Sequence, residues 1–240
     1  MKIDIWSDIR CPFCYIGKRK FETALQRFEQ REQVEVEWHS FELDPSLETD
    51  TTVSIYDYLA KHKGMSHSRS VQMNQQVMEA AKEAGLLFNF DNLVLANSFN
   101  AHRLIQLAKT KNLGDVAEEA LFKAQFIEAK NIDDDDTLIA IGNEIGLSAS
   151  EIASLLASDA YSNEVRKDEA VANHLGINGV PFFVLNNKYG VSGAQAPETF
   201  LQALQQAWAE YEKEHPHLIM NTATGDTCDA DGTCIPTNNN

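Results

Sequence analysis

Two cysteines three positions apart, Cys11-Pro12-Phe13-Cys14, follow closely on a short apolar run, Ile3-Asp4-Ile5-Trp6. Behind them Phe21, Leu25 and Phe28 recur at i, i+4 and i+7, the spacing of one helix face. The pair therefore stands where a strand ends and a helix begins. The first turn of a helix carries unpaired N–H groups and the positive end of the macrodipole, and both favour an anion. A thiol held there loses its proton more easily, and the thiolate is the nucleophile. Pro12 suits the first helical position, because its missing N–H would have had no partner.

A Cys-x-x-Cys at such a junction, close to a βαβ pattern, reads as a thioredoxin-like redox motif. A structural zinc site would need a second ligand pair, and none follows at the usual spacing. The cysteines could also be small hydrophobes, but the strand-turn-helix setting is the one that redox chemistry requires.

Composition narrows the partners. The chain has 20 Lys and Arg against 36 Asp and Glu, a formal charge of −16. Such a surface repels phosphate backbones and anionic membranes, which argues against nucleic acid and membrane as partners. No apolar run approaches the ~20 residues of a membrane span. Met1-Lys2 leads straight into the first strand with no apolar leader, so a cytoplasmic protein is expected. Cysteines in that compartment are better read as catalytic or metal-binding than as a disulfide framework.

Along the chain, Val34, Val36 and Trp38 alternate with charged and polar residues, the period of a strand. A strand, a helix and a strand make a right-handed βαβ unit. Helical spacing then runs on: Ile55, Tyr58 and Leu59; Val77, Met78 and Ala81 up to Gly85; Leu104, Ile105 and Ala108. Ala117, Ala120, Leu121, Ala124 and Ile127 form the cleanest stripe, and Leu138, Ile141 and Ile145 stop at Gly146. Ser148 and Glu151 spell a capping box, and a last stripe of Val165, Val171 and Leu175 stops at Gly176. The apolar run 180–185 predicts a buried strand, Asn186-Asn187-Lys188 a turn, and 189–192 its hairpin partner. Pro197 opens a final helix that Pro216 stops.

The expected fold class is α/β, a thioredoxin fold with a large all-helical domain between its βαβ and ββα halves. Residues 1–45 and 177–215 form the thioredoxin-like domain, 46–176 the inserted helical domain, and 216–240 a flexible C-terminal tail with a second Cys pair. The insert's helices are too short to stand alone and should cap the active-site edge of the sheet.

Asp8-Ile9-Arg10-Cys11-Pro12-Phe13-Cys14-Tyr15-Ile16-Gly17-Lys18-Arg19 resembles the opening of the FrnE-like branch of the DsbA family. Asn97-Ser98-Phe99-Asn100-Ala101-His102-Arg103-Leu104, Gly179-Val180-Pro181-Phe182-Phe183 and Val191-Ser192-Gly193-Ala194-Gln195 resemble that branch too. The resemblance spans residues 2 to 211. It implies a dithiol–disulfide oxidoreductase or isomerase acting on protein disulfides, with Cys11 as nucleophile and Cys14 as resolving thiol. It also implies Pro181 as the cis-proline facing them, a feature that agrees with proline's place at a strand's first residue. Pro12, Phe13 and Val180 are then expected to meet the substrate, with the Val180 backbone pairing an extended segment. His102, beside Arg103 on an insert helix, is a further candidate for substrate contact on the wall of a groove over Cys11, with a solvent-facing or core-packed pair as the alternative. No cofactor is implied; glutathione is allowed as a thiol co-substrate, and a homodimer is left open. The pair between the cysteines is Pro-Phe rather than Pro-His, so Cys11 has one fewer positive partner and the couple should be less oxidising.

Beyond the thioredoxin grammar lie Cys228 and Cys234, read as a second redox pair with an easily closed loop between them. Inert thiols, or a zinc site with His215 and His217, are the alternatives. Asp133 to Asp136 and Asp229-Ala230-Asp231-Gly232 lack the full spacing of a calcium loop, so no metal is expected there. Two other functions compete with protein thiol–disulfide exchange. One is glutathione-dependent small-molecule isomerisation or transfer, where sister branches typically replace the first cysteine by serine. The other is a metal-binding or chaperone role for the tail.

Overall fold

The computed structural model describes residues 1–216 and, beyond them, the backbone of two short strands. Lys2–Ser7 forms β1, Pro12–Gln26 α1 and Glu35–Ser40 β2. Seven helices follow: Ile55–His62 (α2), His67–Glu83 (α3), Phe99–Lys109 (α4), Gly114–Phe126 (α5), Asp135–Glu144 (α6), Ala149–Leu156 (α7) and Ser162–His174 (α8). Phe182–Leu185 (β3), Tyr189–Ser192 (β4) and Pro197–Glu214 (α9) complete the chain's main body. The sheet order is β2-β1-β3-β4, with β2 parallel to β1 and the others antiparallel. This is a thioredoxin fold with a helical insertion. The β3–β4 turn places Asn186 and Asn187 at φ of 52° and 53°, which asparagine tolerates better than most side chains.

Strand β1 is central, so both its faces must be covered. Ile3 and Ile5 enter a core with Phe21 of α1, Phe183 of β3, and Phe200, Leu204 and Trp208 of α9. The rings of Phe21, Phe183 and Phe200 pack mutually at 4.6–5.7 Å. Each such buried side chain is worth roughly 1.5–3 kcal/mol relative to exposure. On the other face Trp6 stacks on His39 at 4.6 Å and donates from Nε1 to the Asp168 carbonyl of α8 at 3.0 Å.

The insert's helix boundaries follow side-chain caps. Ser54, Ser66 and Asp134 accept the N–H three residues on, and Ser148 with Glu151 completes the capping box read from the sequence. Gly85 and Gly146 take positive φ at the ends of α3 and α6. The insert does not form a separate core. Leu104, Leu121, Phe122 and Phe126 share one apolar cluster with Cys11, Cys14, Tyr15 and Ile16 at the start of α1.

Two expectations need correction. The run 180–185 is not buried throughout: the strand starts at Phe182, and buried Phe183 and Leu185 alternate with half-buried Phe182 and Val184. In α8, Val165 and Ala172 face inward, whereas Val171 and Leu175 are 41% and 53% exposed. The inward face also carries Asp168 and Glu169, because α8 packs on the outer edge of β2, where backbone groups need partners. Asp168 Oδ2 accepts from Ser40 N at 2.9 Å and Glu169 Oε1 from Glu42 N at 3.2 Å, while Lys109 Nζ of α4 donates to the Trp38 carbonyl at 2.9 Å.

Among the described residues no helix is long and apolar enough to cross a membrane. In the C-terminal segment Thr227–Cys228 (β5) and Cys234–Ile235 (β6) pair antiparallel, with Cys228 directly opposite Cys234. Their side chains, His217 and the stretch 229–233 lie outside the described residues.

Candidate active site

Cys11 is the N-cap of α1 and Pro12 its first residue, as their order in the sequence dictates. The turn leading to it is tied to itself: Cys11 N donates to the Asp8 carbonyl at 2.9 Å, and Asp8 Oδ1 accepts from Arg10 N at 3.0 Å. Asp8 Oδ2 accepts from Leu43 N at 2.8 Å, which fastens the segment after β2 to the same turn. Both cysteines are free thiols. Cys11 retains 5% exposure and Cys14 none. Burial, and then the proximity of Cys11, push the Cys14 thiol well above its ordinary range. The outer thiol is thus the more accessible of the two, and burial keeps the inner one protonated.

The peptide Val180–Pro181 is cis, and the Cys11 thiol donates to the Val180 carbonyl at 3.6 Å. Close approach depends on Gly17, in the second turn of α1. A Cβ there would stand 2.9 Å from Pro181 Cγ.

Beside Cys11 opens a cavity of about 440 Å³ between the start of α1 and the α2–α3 hairpin. Its walls are mainly apolar, including Tyr58, Val77 and Phe126, with Arg10 and Lys63 supplying positive charge. Pro12 and Phe13 line it too, and Phe13 is 45% exposed. Cys11, Pro12, Phe13, Val180 and Pro181 therefore lie together at one surface.

His102 does not join them. Expected on the wall of a groove over Cys11, it is instead buried at 1% exposure on α4, with Nε2 3.5 Å from Asp8 Oδ1. Helix α4 presents it to the buried carboxylate behind the cysteine turn, so substrate contact is ruled out as its role in this arrangement. Burial opposes a charged imidazole, yet Asp8, with Glu118 and Glu42 behind it, raises His102 above its usual value. Asp8 in turn is lowered: His102 and the two backbone N–H groups outweigh the cost of burying it.

Sequence reasoning also missed Ser7, Asp8 and Glu118. All three are buried, with Glu118 on α5 between Ala117 and Leu121. A signal existed, since Glu118, Leu121, Phe122 and Gln125 form one helix face, and a carboxylate on such a face needs a reason. For metals, Asp4, Glu37 and His39 are close enough together, but Lys2 already bridges Asp4 and Glu37 at 2.7 Å each. Those carboxylates have their cation. Asp134, from the acidic run, serves as the α6 cap.

A family model described as the DSBA-like thioredoxin domain matches residues 2–205. The Bacillus subtilis (strain 168) protein YwbO is 29% identical over 205 residues, spanning 84% of this chain and 94% of its own length. A probable DsbA oxidoreductase from Streptomyces coelicolor is 36% identical, with a TM-score of 0.83 over 99% of this chain and all of the other. The cytosolic disulfide reductase DsbM of Pseudomonas aeruginosa shares the fold at 16% identity, with a TM-score of 0.58 over 90% of this chain and 98% of its own. A thiol pair at a helix N-terminus, set against a cis-proline in a fold matched over nearly its whole length, leaves one assignment: the chain belongs to the DSBA-like thioredoxin domain family of thiol–disulfide oxidoreductases.

Proposed function

We propose that this chain carries out thiol–disulfide exchange on protein disulfides, as in the FrnE-like branch, with Cys11 as the attacking thiol and the cytoplasm as its compartment. The observation that carries the reading is the Cys11 thiol, at the N-cap of α1, facing the Val180 carbonyl beside an apolar cavity. The Cys11 thiolate attacks one sulfur of a substrate disulfide, whose S–S bond breaks as the other sulfur leaves as a thiolate. Cys14 then attacks the Cys11 sulfur and frees the second substrate thiolate. The substrate gains two electrons and the Cys11–Cys14 pair becomes a disulfide. A second thiol, with glutathione the natural candidate, returns the pair to the dithiol. DsbM, a relative in fold only, has been crystallised with glutathione.

The Val180 backbone suits an extended substrate segment, and exposed Phe13 with the neighbouring cavity suits an apolar side chain next to the scissile disulfide. Retention of both thiols favours this reading over small-molecule isomerisation. Cys228 and Cys234 are proposed as a second pair that exchanges with the first. Residues directly opposite in antiparallel strands have Cα atoms about 4.5–5.5 Å apart, a separation a disulfide accepts.

Insulin reduction in glutathione buffer, run beside a zinc titration, tests the proposal. Cys11→Ser should lose the activity, and Cys14→Ser should accumulate mixed disulfides visible by mass spectrometry. Wild-type turnover in Cys11→Ser would sink the central claim. Unchanged activity and thiol redox state in Cys228→Ser would remove the tail from it.

A further inference from the structure

The charge of this chain is not spread evenly. It has 36 acidic residues against 20 Lys and Arg, yet no Asp or Glu falls between Tyr58 and Met78, the stretch that holds Lys61, Lys63 and Arg69. That stretch forms the end of α2, the turn after it and most of α3, the hairpin across the apolar cavity from the start of α1. The hairpin is thus a basic island on an acidic molecule.

Helical period aims these charges. Ile55, Leu59 and Lys63 recur every four residues along α2 to its C-cap, and all three line the cavity. On α3, Met73 and Val77 line it, and Arg69 stands four positions before Met73 on the same face. Arg10 lines it from the opposite wall, next to Cys11. Among the described residues, the lining includes Arg10 and Lys63 and no acid.

Folding does not account for these cations. Among the described residues, Arg10 donates only to the Asp44 carbonyl, at 3.4 Å, while the Asp44 carboxylate takes the Ser46 hydroxyl. The hairpin's one ion pair among the same residues joins His67 to Asp57 at 3.6 Å, which leaves Lys63 and Arg69 without a carboxylate. Lys63 at least suits the negative end of α2. Arg69 does not suit its place: it lies in the first turn of α3, where the macrodipole favours an acid and the helix has none. A cation held against the local field, in line with the wall of a cavity beside a reactive thiol, points to a negatively charged partner.

We propose that the protein segment presented to Cys11 is acidic with an apolar anchor: a bulky apolar side chain beside the substrate cysteine fills the cavity, and carboxylates flanking it meet Arg10, Lys63 and Arg69. This rests on the thiol–disulfide reading and names a substrate class for it. The cavity, about 440 Å³, is of a size that takes an organic group, and Phe13 and Leu43 line it while remaining exposed. The anchor supplies affinity, and the rim charges supply the choice of partner. The surface at large, at −16, repels acidic partners, so a local basic face fixes where such a segment lands.

Peptides whose single cysteine carries a 2-thiopyridyl group test this on the full chain. The Cys11 thiolate attacks the peptide sulfur, the S–S bond breaks, and pyridine-2-thione leaves as a chromophore with no carboxylate of its own. Four peptides place Phe or Ser beside the cysteine and Glu or Lys beside that residue. The Phe–Glu peptide should react about tenfold faster than Phe–Lys and about fivefold faster than Ser–Glu at low ionic strength, and its lead over Phe–Lys should shrink in about 0.5 M salt. Lys63 and Arg69 are exposed, so replacing them leaves the core intact. Each variant is read as a ratio between two peptides, which cancels any change in the reactivity of Cys11. Lys63→Gln with Arg69→Gln should bring the Glu-over-Lys ratio to about threefold or less, and Lys63→Glu with Arg69→Glu should invert it. Equal rates for Phe–Glu and Phe–Lys in the wild type overturn the proposal, as does a Glu preference that both double variants leave intact. A Ser–Glu peptide as fast as Phe–Glu overturns the anchor. Equal peptide rates in a wild-type dimer that Lys63→Glu with Arg69→Glu dissociates would give the face to a second copy and overturn the proposal too. Absence of pyridine-2-thione release from every peptide would instead overturn the thiol–disulfide reading itself.

Discussion

Gly17 shows how one missing atom shapes the site. Its place on the second turn of α1 brings it against Pro181, where a Cβ would meet Cγ at 2.9 Å. Proline cannot move its ring out of the way as a flexible side chain could. Gly17→Ala should therefore gain helix propensity yet lose about 1–3 kcal/mol through overpacking, and displace the Val180 carbonyl from Cys11. A thermal melt beside the insulin assay reads both effects, and an Ala variant as stable and active as wild type would contradict the contact. Gly17 stands in the sequence motif, but its reason is 164 positions away, in Pro181. Asp8 is similar. It is visible in the motif, while its partners Leu43 and His102 come from other elements, so its place was legible and its role was not.

At the scale of elements, hydrophobic period located the helices and strands well, and failed where polar groups do the docking. Helix α8 is the clear case: the inward side holds Asp168, whose carboxylate takes His39 Nδ1 at 2.9 Å while Asp4 takes Nε2 at 2.7 Å. Periodicity counts apolar residues and cannot see such a helix. Burial works against a charged His39, but its two carboxylates outweigh it and raise its titration above the ordinary 6.5. Asp4 and Asp168 are lowered by the same contacts. A raised histidine stabilises most fully below its unfolded value, and the gain disappears as pH climbs through the folded one. The lowered aspartates stabilise above about 3.8 and lose that gain in acid. His39→Gln should thus cost several degrees of Tm at pH 5.5 and distinctly less at pH 9. An equal cost at both values would show that the imidazole is uncharged in this contact.

For the molecule as a whole, the sequence distinguished two units, but the packing joins them. Tyr15 stacks on Phe122 at 4.9 Å and donates to Glu119 Oε1 at 2.8 Å, and Asp115 accepts from both Lys18 and Trp38 Nε1. The cysteine turn and the helical insert thus share one interior, whose long-range pairings no local pattern announces. Calorimetry on the reduced protein should accordingly show one cooperative transition, with loss of the helical and sheet signals together. Two resolved transitions would mean that the shared interior contributes little. The outer edge of β2 carries a further consequence. A sheet edge normally offers bare N–H and C=O groups to any passing strand, an invitation to self-association. Here the Trp38 carbonyl and Ser40 N–H are already taken by Lys109 and Asp168. Those two groups are closed to another strand, and among the described residues β4, four residues long, interrupted by Gly190 and flanked by Lys188, forms the other edge of the sheet.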